Sequence, residues 1–393
     1  MKKICVVLGS RANYGSIKKV MQLIEEDSEL SLQVVLMGST MAKKFGNIQE
    51  QVIRDGFRID YKIDALLEST LPSSMAKTTG ITLIEMATCL EHLDPSIVLT
   101  VGDRYETMAT AIAASYSNRV LAHTMGGEIT GTLDESVRHA ITKLSHLHFV
   151  STKNAKRNVI QLGEKENDVH LTGCPRLDFV RETLAEASTT AKMTLGNVNE
   201  LGVGQEIDTK EPFALIAVHP VTSEWQEADI QIVTALESIK EIGLQAIVIW
   251  PNADAGNNLL SKGIRVWRER NLDSPFRFIN DLKPQDFFIL MNTCAVMVGN
   301  SSAGIREGSF IGTPYVNVGS RQSHREMSAN TICVPWNKQL IKDGVSSHLK
   351  HGRYVSSDLY GDGFASSRIV SVLKEPNPSI QKIFTARENV GLS

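Results

Sequence analysis

The sequence predicts an α/β protein built from two Rossmann-like, doubly wound domains. Its 393 residues exceed the ~100–200 that usually form one domain. Short apolar runs alternate with longer amphipathic stretches, which is typical of repeated βαβ units and a mainly parallel sheet. The alternation stops over residues 186–211, where small and polar residues dominate, and resumes at Phe213. We therefore expect an N-terminal domain over 1–185, a linker region over 186–211 and a C-terminal domain over 212–365.

In the first half, apolar runs predict strands and the stretches between them predict helices. The predicted strands cover residues 4–8, 33–37, 97–101, 120–123 and 148–151, and the predicted helices cover 16–26, 81–93 and 105–117. The first apolar run stops at Gly9, which makes it too short for a signal-peptide core or a membrane span.

The second half repeats this architecture. Its predicted strands cover residues 213–218, 246–250, 277–279, 296–299 and 315–318, with a helix over 228–239. Residues 366–373 and 380–388 also have helical patterns, but they carry too little apolar surface for another domain. We expect the segment 366–393 to form helices that pack across the two domains.

Composition excludes several classes of partner. Because 41 basic residues face 44 acidic ones, no broad positive field exists to attract nucleic acid or a membrane surface. The five cysteines are scattered and lack C-x-x-C spacing, so neither a disulfide framework nor a zinc site is predicted. These features favour a cytoplasmic protein without a metal.

In parallel sheets, ligands bind beyond the carboxyl ends of the strands, so the residues that follow each strand are the candidates for function. The first strand is followed by a segment that begins at Gly9, whose glycine spacing does not match the G-x-G-x-x-G of nicotinamide-cofactor sites. Arg11 in this segment is suited to phosphate, because a helix N-terminus adds to its charge. The alternative is that Arg11 is a solvated loop residue.

Acidic residues follow the next strands of the first half. Asp103 and Arg104 come directly after residue 101, and Glu128, Asp134 and Glu135 follow the strand that ends at 123. Carboxylates gathered at one strand end suit proton transfer at carbon, because their mutual repulsion and their burial raise the pKa of one carboxyl group toward neutral pH. Alternatively, Asp103 caps a helix, and Asp134 or Glu135 merely begins the helix that runs through Leu144.

Polar residues also follow strands of the second half. His219 and Asn252 come after two of them, and Ser301 and Ser302 open a helix that carries Glu307 one turn further on. Small hydroxyl residues at a helix N-terminus form a phosphate cradle, and Glu307 could accept from both ribose hydroxyls. Two such halves suit a sugar nucleotide.

At these motifs the chain resembles the hydrolysing UDP-N-acetylglucosamine 2-epimerases, which begin the synthesis of sialic and related nonulosonic acids. The resemblance covers nearly the whole chain. It rests on the segments at residues 9–12, 102–104, 126–128, 134–144, 173–175 and 299–307. It implies the GT-B fold with the site in the interdomain cleft, no metal or nicotinamide cofactor, and a homodimer or homotetramer.

The resemblance also implies roles for the candidate residues. The nucleotide and its phosphates would be held by Arg11, His219, Asn252, Ser301, Ser302, Glu307 and Arg321. Asp103, Glu128 and Asp134 would serve the sugar, His219 would join them as a catalytic candidate, and Arg104 would contact substrate. The implied reaction removes the C2 proton, expels the nucleoside diphosphate to leave a glycal, and then hydrates the double bond to give a free manno-configured sugar.

One departure from the family pattern bears on the substrate. The sialic-acid members carry a glutamate directly before the Gly-Gly pair, and Met125 stands there in this chain. A flexible apolar side chain favours methyl groups over hydroxyls. We therefore expect UDP- or GDP-N,N′-diacetylbacillosamine rather than UDP-N-acetylglucosamine as substrate, unless Met125 only packs beneath the turn.

Two other functions remain open from the residues. A GT-B glycosyltransferase would share the fold and the nucleotide site but pass the sugar to an acceptor. A sugar-nucleotide sensor would bind without turnover, although a binder of a diphosphate gains nothing from several repulsive carboxylates.

Overall fold

The computed structural model describes residues 1–42, 47–67, 72–131, 133–186, 195–221, 224–251, 257–280 and 282–386. The chain divides into two compact units. The first unit holds Met1–Phe179 together with the C-terminal segment from Tyr360, and the second unit holds Val180–Leu359. Within the described part of the chain, none of the helices has the length and apolar character needed to span a bilayer.

The first unit is built on a seven-stranded sheet of order β3-β2-β1-β4-β5-β6-β7. Every neighbouring pair in this sheet is parallel. Its strands are β1 (Lys2–Leu8), β2 (Leu30–Met37), β3 (Tyr61–Ile63), β4 (Ile97–Val101), β5 (Val120–Thr124), β6 (Leu147–Val150) and β7 (Val169–Leu171). Its helices are α1 (Arg11–Glu26), α2 (Ile48–Arg54), α3 (Pro72–Leu93), α4 (Tyr105–Tyr116), α5 (Leu133–Leu144), α6 (Lys153–Gln161) and the N-terminal part of α7 (Arg176–Ala185).

The second unit repeats this plan with the order β14-β13-β12-β9-β10-β11-β8, in which only the β8–β11 pair is antiparallel. Its strands are β8 (Val203–Gly204), β9 (Phe213–Ala217), β10 (Gln245–Ile249), β11 (Phe276–Ile279), β12 (Val296–Gly299), β13 (Tyr315–Val318) and β14 (Thr331–Val334). Its further helices are α8 (Ala228–Ile242), α9 (Asn257–Arg270), α10 (Pro284–Thr293), α11 (Ser302–Ile311) and α12 (Lys338–His351).

The central strands are apolar on both faces because each sheet is buried on both faces. In β4 all five residues are buried, and β5, β9 and β12 are likewise buried along their whole length. One face of the first sheet buries Cys5 and Val7 together with Met86 and Leu90 of α3. This double coverage explains why the sequence shows continuous apolar runs rather than strict alternation.

Each sheet reverses its strand order at one place, which is where open α/β sheets bind ligands. In the first unit the reversal lies between β1 and β4, and in the second it lies between β9 and β12. The residues that follow these four strands begin at Gly9, Gly102, Val218 and Asn300. These are the turns that the sequence singles out.

The segment expected to be a linker is partly anchored to the second sheet. Residues Val203–Gly204 pair with β11, and the Arg277 guanidinium donates to the carbonyls of Leu201 at 2.8 Å and Gly204 at 2.9 Å. The division between the two units falls earlier, between Phe179 and Val180.

The C-terminal segment joins the first unit. Its helix α13 (Ala365–Lys374) begins where the Asp178 carboxylate accepts the N–H groups of Ala365 at 2.9 Å and Ser366 at 2.6 Å. The expected second helix over 380–388 is absent from the described residues, which end at 386. Residues 382–386 form neither helix nor strand, and they bond to the body of the first unit, with Lys382 Nζ 2.7 Å from Glu164 Oε2 and the Thr385 N–H donating to Gly163 O at 3.0 Å.

Candidate active site

The turn after β1 is tied to the end of β4 by one buried side chain. Asn13 Oδ1 accepts the N–H of Gly9 at 3.2 Å, and Asn13 Nδ2 donates to Val101 O at 3.2 Å. Helix α1 begins at Arg11, with Ser10 as its N-cap accepting from the Asn13 N–H. Arg11 is therefore the first helical residue at the switch point, where its charge adds to that of the helix N-terminus.

A buried cation lies at the centre of the acidic segments. Arg138 on α5 is 1 % exposed, and its Nε and Nη2 both donate to Asp103 Oδ2, the former at 3.0 Å. Its Nη1 donates to the carbonyl of Glu128 at 2.5 Å, and Nη2 lies 3.4 Å from Thr130 Oγ1. The structure thus brings Asp103 and the Glu128 segment together around one guanidinium.

The backbone before Asp103 is held by His123, which is fully buried in β5. Its Nε2 lies 2.7 Å from Gly102 O, and its Nδ1 lies 3.4 Å from Thr142 Oγ1. Burial lowers the pKa of His123 to about 4, although the bond to Gly102 acts in the opposite direction. The ring is therefore neutral at neutral pH, with the proton on Nε2 to donate to the carbonyl.

Glu135 closes the loop that carries Glu128. Its Oε2 accepts the N–H groups of Thr130 and Gly131, each at 2.6 Å. Burial alone would raise the pKa of Glu135, but these two donors, together with the charges of His139 and Arg138, outweigh it and lower that pKa overall. Asp134, next to it in the first turn of α5, is exposed. The structure thus gives the loop-closing role to Glu135 and leaves Asp134 on the surface.

Gly127, the second glycine after Met125, packs directly on α6. Gly127 has φ +76°, and a Cβ there would lie 2.3 Å from the Ala155 carbonyl oxygen. Asn158 Nδ2 of α6 donates to Gly127 O at 2.8 Å. A side chain at this position would push the acidic loop off the helix, so the requirement for glycine is steric as well as conformational.

Arg104 is engaged within the first unit. Its Nε and Nη2 lie 3.1 and 3.3 Å from the two carboxylate oxygens of Glu106, which is fully buried. Gly38 approaches the same carboxylate so closely that a Cβ there would lie 2.7 Å from Glu106 Oε1. The Glu106 partner fixes the orientation of Arg104 at the end of β4.

Met125 lies beside the turn that carries Asp103. It has φ +64° and is 7 % exposed, and its backbone N–H donates to Phe149 O at 2.8 Å. Its sulfur lies 3.8 Å from Cys174 Sγ, and a Cβ placed on Gly102 would lie 4.0 Å from its Cε. The side chain thus fills the space between the Gly102 turn and the segment at Cys174.

In the second unit, Asn300 binds the backbone of His219. Asn300 is fully buried, its Oδ1 accepts the His219 N–H at 2.7 Å, and its Nδ2 donates to His219 O at 2.8 Å. Arg321 Nη1 donates to Asn300 O at 3.1 Å. This cluster joins the ends of β9 and β12 and brings two predicted nucleotide-binding residues, His219 and Arg321, to one place.

Helix α11 starts at the same switch point. Ser301 is its N-cap, Ser302 is its first residue, and Glu307 lies further along, 3 % exposed. Tyr315 Oη donates into this turn, 2.9 Å from Gly299 O and 3.0 Å from Ser301 O. The hydroxyls at Ser301 and Ser302 therefore stand at a helix N-terminus of the kind that binds phosphate. Asn252 lies outside the described residues.

Each unit offers distinct chemistry at its own switch point. The first unit presents a carboxylate, Asp103, held by a buried cation, and the second presents a helix N-terminus beside a histidine and an arginine. Among the residues that the structure describes, no three His, Cys, Asp or Glu side chains are grouped as a metal site requires.

The sequence analysis did not predict four residues of these clusters as site residues: Asn13, His123, Arg138 and Asn300. Two of them have a sequence feature that could have pointed to the site. His123 is a polar residue inside an otherwise apolar strand, and Asn300 directly follows Gly299 at a strand end. Arg138 and Asn13 have no such feature, because a polar residue in an amphipathic helix is usually solvated.

The comparisons with known proteins agree with this fold and show the family of the chain. The family model described as UDP-N-acetylglucosamine 2-epimerase matches residues 22–374. The chain is similar to the UDP-N,N′-diacetylbacillosamine 2-epimerase (hydrolyzing) of Legionella pneumophila, with 34 % identity over 95 % of this chain and 96 % of that one. It is 32 % identical to the GDP/UDP-N,N′-diacetylbacillosamine 2-epimerase (hydrolyzing) of Campylobacter jejuni, with 84 % of each covered.

A solved structure confirms the fold class. The UDP-GlcNAc 2-epimerase from Neisseria meningitidis, bound to UDP-GlcNAc, superposes with a TM-score of 0.81 at 18 % identity, covering 94 % of this chain and 99 % of that chain. The predicted GT-B architecture of two Rossmann-like domains is therefore confirmed.

Proposed function

The chain belongs to the UDP-N-acetylglucosamine 2-epimerase family, and from this premise we propose that it is a hydrolysing 2-epimerase of a nucleotide-activated 2-acetamido sugar. The observation that carries the proposal is the Asp103–Arg138 pair, which holds a carboxylate at the switch point of the first sheet beside the Glu128 segment. A pure binder of a diphosphate would gain nothing from such an acid.

The reaction proceeds by elimination and hydration. A carboxylate removes the C2 proton, the C1–O bond breaks, and the nucleoside diphosphate leaves a C1=C2 glycal. Water then adds its hydroxyl at C1 while C2 is protonated on the opposite face, which inverts C2 and yields a free manno-configured sugar. Asp103, Glu128 and Asp134 are the candidates for the proton transfers.

The departing diphosphate needs positive charge and N–H donors. Arg11 at the start of α1, and His219, Arg321 and the N-terminus of α11 in the second unit, support this role by their positions. Glu307 would accept from the ribose hydroxyls, and Arg104 and Asn252 would add contacts to the substrate. In this proposal the first unit performs the sugar chemistry and contributes Arg11 to the phosphates, and the second unit holds the rest of the nucleotide.

We propose N,N′-diacetylbacillosamine, linked to UDP or GDP, as the sugar. The names of the Legionella and Campylobacter relatives support this choice. Met125 supports it as well, because its apolar side chain lies beside the Asp103 turn where the sialic-acid members carry a glutamate. The product would feed nonulosonic acid synthesis of the legionaminic or sialic type, and we expect the protein to act as a homodimer or homotetramer.

Product analysis without an acceptor tests the function. Purified protein is incubated with UDP-N,N′-diacetylbacillosamine or UDP-N-acetylglucosamine, and free UDP and free sugar are quantified. We expect UDP and a manno-configured free sugar in equal amounts. UDP release only on addition of an acceptor would indicate a glycosyltransferase, and binding without release would indicate a sensor.

The same assay tests the sugar. We expect kcat/KM to be about tenfold or more higher for the bacillosamine substrate, since a poorly matched hydroxyl costs ~1–3 kcal/mol. An equal or higher value for UDP-N-acetylglucosamine would reject this substrate and leave the epimerase function standing.

A further inference from the structure

Arg138 is a buried permanent cation whose donors all bond within the site. Its side chain is 2 % exposed, whereas that of its partner Asp103 is 27 % exposed. A guanidinium does not lose its charge at any pH that a protein survives, so its burial demands well-placed acceptors. The carboxylate of Asp103, the carbonyl of Glu128 and the hydroxyl of Thr130 are these acceptors.

The planar guanidinium makes the spacing of its acceptors rigid. Nε and Nη2 converge on one oxygen, Oδ2 of Asp103, while Nη1 points to the backbone of Glu128. These two acceptors follow different strands, β4 and β5, and are 25 residues apart in the sequence. One inflexible group therefore sets both the direction of the Asp103 carboxylate and its distance from the Glu128 loop.

We propose that Arg138 is a positioning residue for the sugar reaction: anchored on the backbone of Glu128, its guanidinium aims the Asp103 carboxylate. This inference rests on the proposed epimerase function. A small displacement of a reacting group can cost about 100-fold in rate, so a residue that never touches substrate can control turnover.

Lysine cannot replace Arg138 in this role. An ammonium is a compact point charge that lacks the flat fork, so it can neutralise Asp103 but cannot hold two acceptors in a fixed plane. We expect Arg138→Lys to lower kcat by about 100-fold and to change KM by less than about threefold. Arg138→Gln, which also removes the charge, should lower kcat at least as much.

A double-mutant cycle separates this role from general support of the fold. If Arg138 acts through Asp103, then adding Arg138→Gln to an Asp103→Asn enzyme removes little that is not already lost, and we expect a further fall in kcat below about threefold. If Arg138 only supports the fold, the two losses multiply. Should Arg138→Gln not fold at the assay temperature, as shown by circular dichroism, the cycle is run with Arg138→Lys.

Arg119 provides the matched control. It pairs with Asp94 at 2.7 Å in the same unit, but the two side chains are 30 % and 65 % exposed. Arg119→Gln should leave kcat and KM unchanged. The experiment measures UDP release by the wild type and all variants from the sugar substrate that the wild type turns over, together with each variant's affinity for UDP.

The outcomes distinguish the two proposals. Multiplying losses in the cycle, an effect on KM alone, or near-normal kcat in Arg138→Lys would overturn the role of Arg138 while the epimerase stands. If the wild type itself releases no UDP, the proposed function fails, and the role of Arg138 falls with it.

Discussion

Asn300 bonds both backbone groups of His219, accepting from its N–H at 2.7 Å and donating to its C=O at 2.8 Å. The first unit contains a counterpart, since Asn13 accepts from the N–H of Gly9 and donates to Val101 O. In both units a buried amide thus ties together the two strand ends that flank the switch point. An amide suits this task because it carries a donor and an acceptor on one small group.

Replacing the Asn300 amide should disturb the nucleotide site. In Asn300→Asp one oxygen still accepts the His219 N–H, but the other faces the His219 carbonyl and repels it. We expect a loss of ~1–3 kcal/mol in unfolding free energy and about tenfold weaker UDP binding, measured by denaturant unfolding and calorimetry. Asn197→Asp, at an exposed position, is the control. Unchanged UDP affinity in Asn300→Asp would show that the His219 backbone does not shape this site.

The close contact of Gly127 with α6 predicts a large steric effect. In Gly127→Ala the new methyl carbon would meet the Ala155 oxygen at 2.3 Å, and we expect a loss of ~1–3 kcal/mol in unfolding free energy. Gly80, exposed in α3, has no neighbouring atom within 4 Å of an added Cβ. Gly80→Ala should therefore raise stability by up to ~1 kcal/mol. Equal effects of the two substitutions in urea unfolding would contradict the contact.

Buried histidines make the folded state sensitive to acid. His123 has a pKa of about 4 in the folded protein, against ~6.5 in an unfolded chain. The unfolded state therefore binds the proton first, and stability that is fully present above pH ~6.5 is lost as pH falls toward 4, by on the order of 3 kcal/mol. Burial also lowers the pKa values of His146 and His148, which act in the same direction.

Removing the His123 ring should flatten this pH dependence. Besides the neighbouring His148 ring, the charged groups that act on His123 are Asp103 and Arg138. His123→Gln keeps a donor for Gly102 O but cannot titrate, so we expect a shallower fall of unfolding free energy between pH 7 and pH 4. His92→Gln, at an exposed site, should leave the slope unchanged. An unaltered slope in His123→Gln would assign the acid sensitivity to other groups.

Substitutions in the first unit should lower turnover, and substitutions in the second unit should weaken UDP binding. Asp103→Asn keeps the size of the side chain and removes its charge, so turnover should fall by orders of magnitude while UDP affinity changes little. Ser302→Ala and Glu307→Ala should instead weaken UDP binding, because these residues stand on the helix that begins at the second switch point. The check is kcat from UDP release alongside Kd from UDP titration. Near-normal turnover in Asp103→Asn would remove that residue from the mechanism.

The sequence predicted the central strands well and the edge strands poorly. The expected strands 97–101, 296–299 and 315–318 coincide with β4, β12 and β13, because these runs are mostly apolar. The short edge strands Tyr61–Ile63, Val169–Leu171 and Thr331–Val334 went unpredicted. An edge strand has one hydrogen-bonded neighbour and tolerates polar residues such as Lys62 and His170, so its pattern is not that of a buried run.

The start of α3 shows a second limit. The expected helix began at residue 81, whereas the structure begins it at Pro72. Its first turns hold serine, threonine, lysine and Gly80, and Met75 is their one large apolar residue, which gives no helical periodicity to detect. Tertiary contacts stabilise it instead, including the Thr78 hydroxyl that accepts the Leu67 N–H at 3.1 Å.

The candidate site was also only partly predictable from the sequence. Its position was predictable, because parallel sheets bring strand ends together at the switch point. The pairing of its side chains was not predictable. Arg138 and Asp103 are 35 residues apart and Asn300 and His219 are 81 apart, and a single sequence holds no signal for such pairs.

Isotope labelling at C2 tests the central claim most directly. Purified protein is incubated with UDP-N,N′-diacetylbacillosamine in deuterated water, and the released sugar is examined by proton NMR and mass spectrometry. Elimination and hydration remove the C2 proton and return one from solvent, so the account predicts a manno-configured free sugar with one deuterium at C2, together with free UDP. A released sugar that retains its original proton at C2 would contradict it.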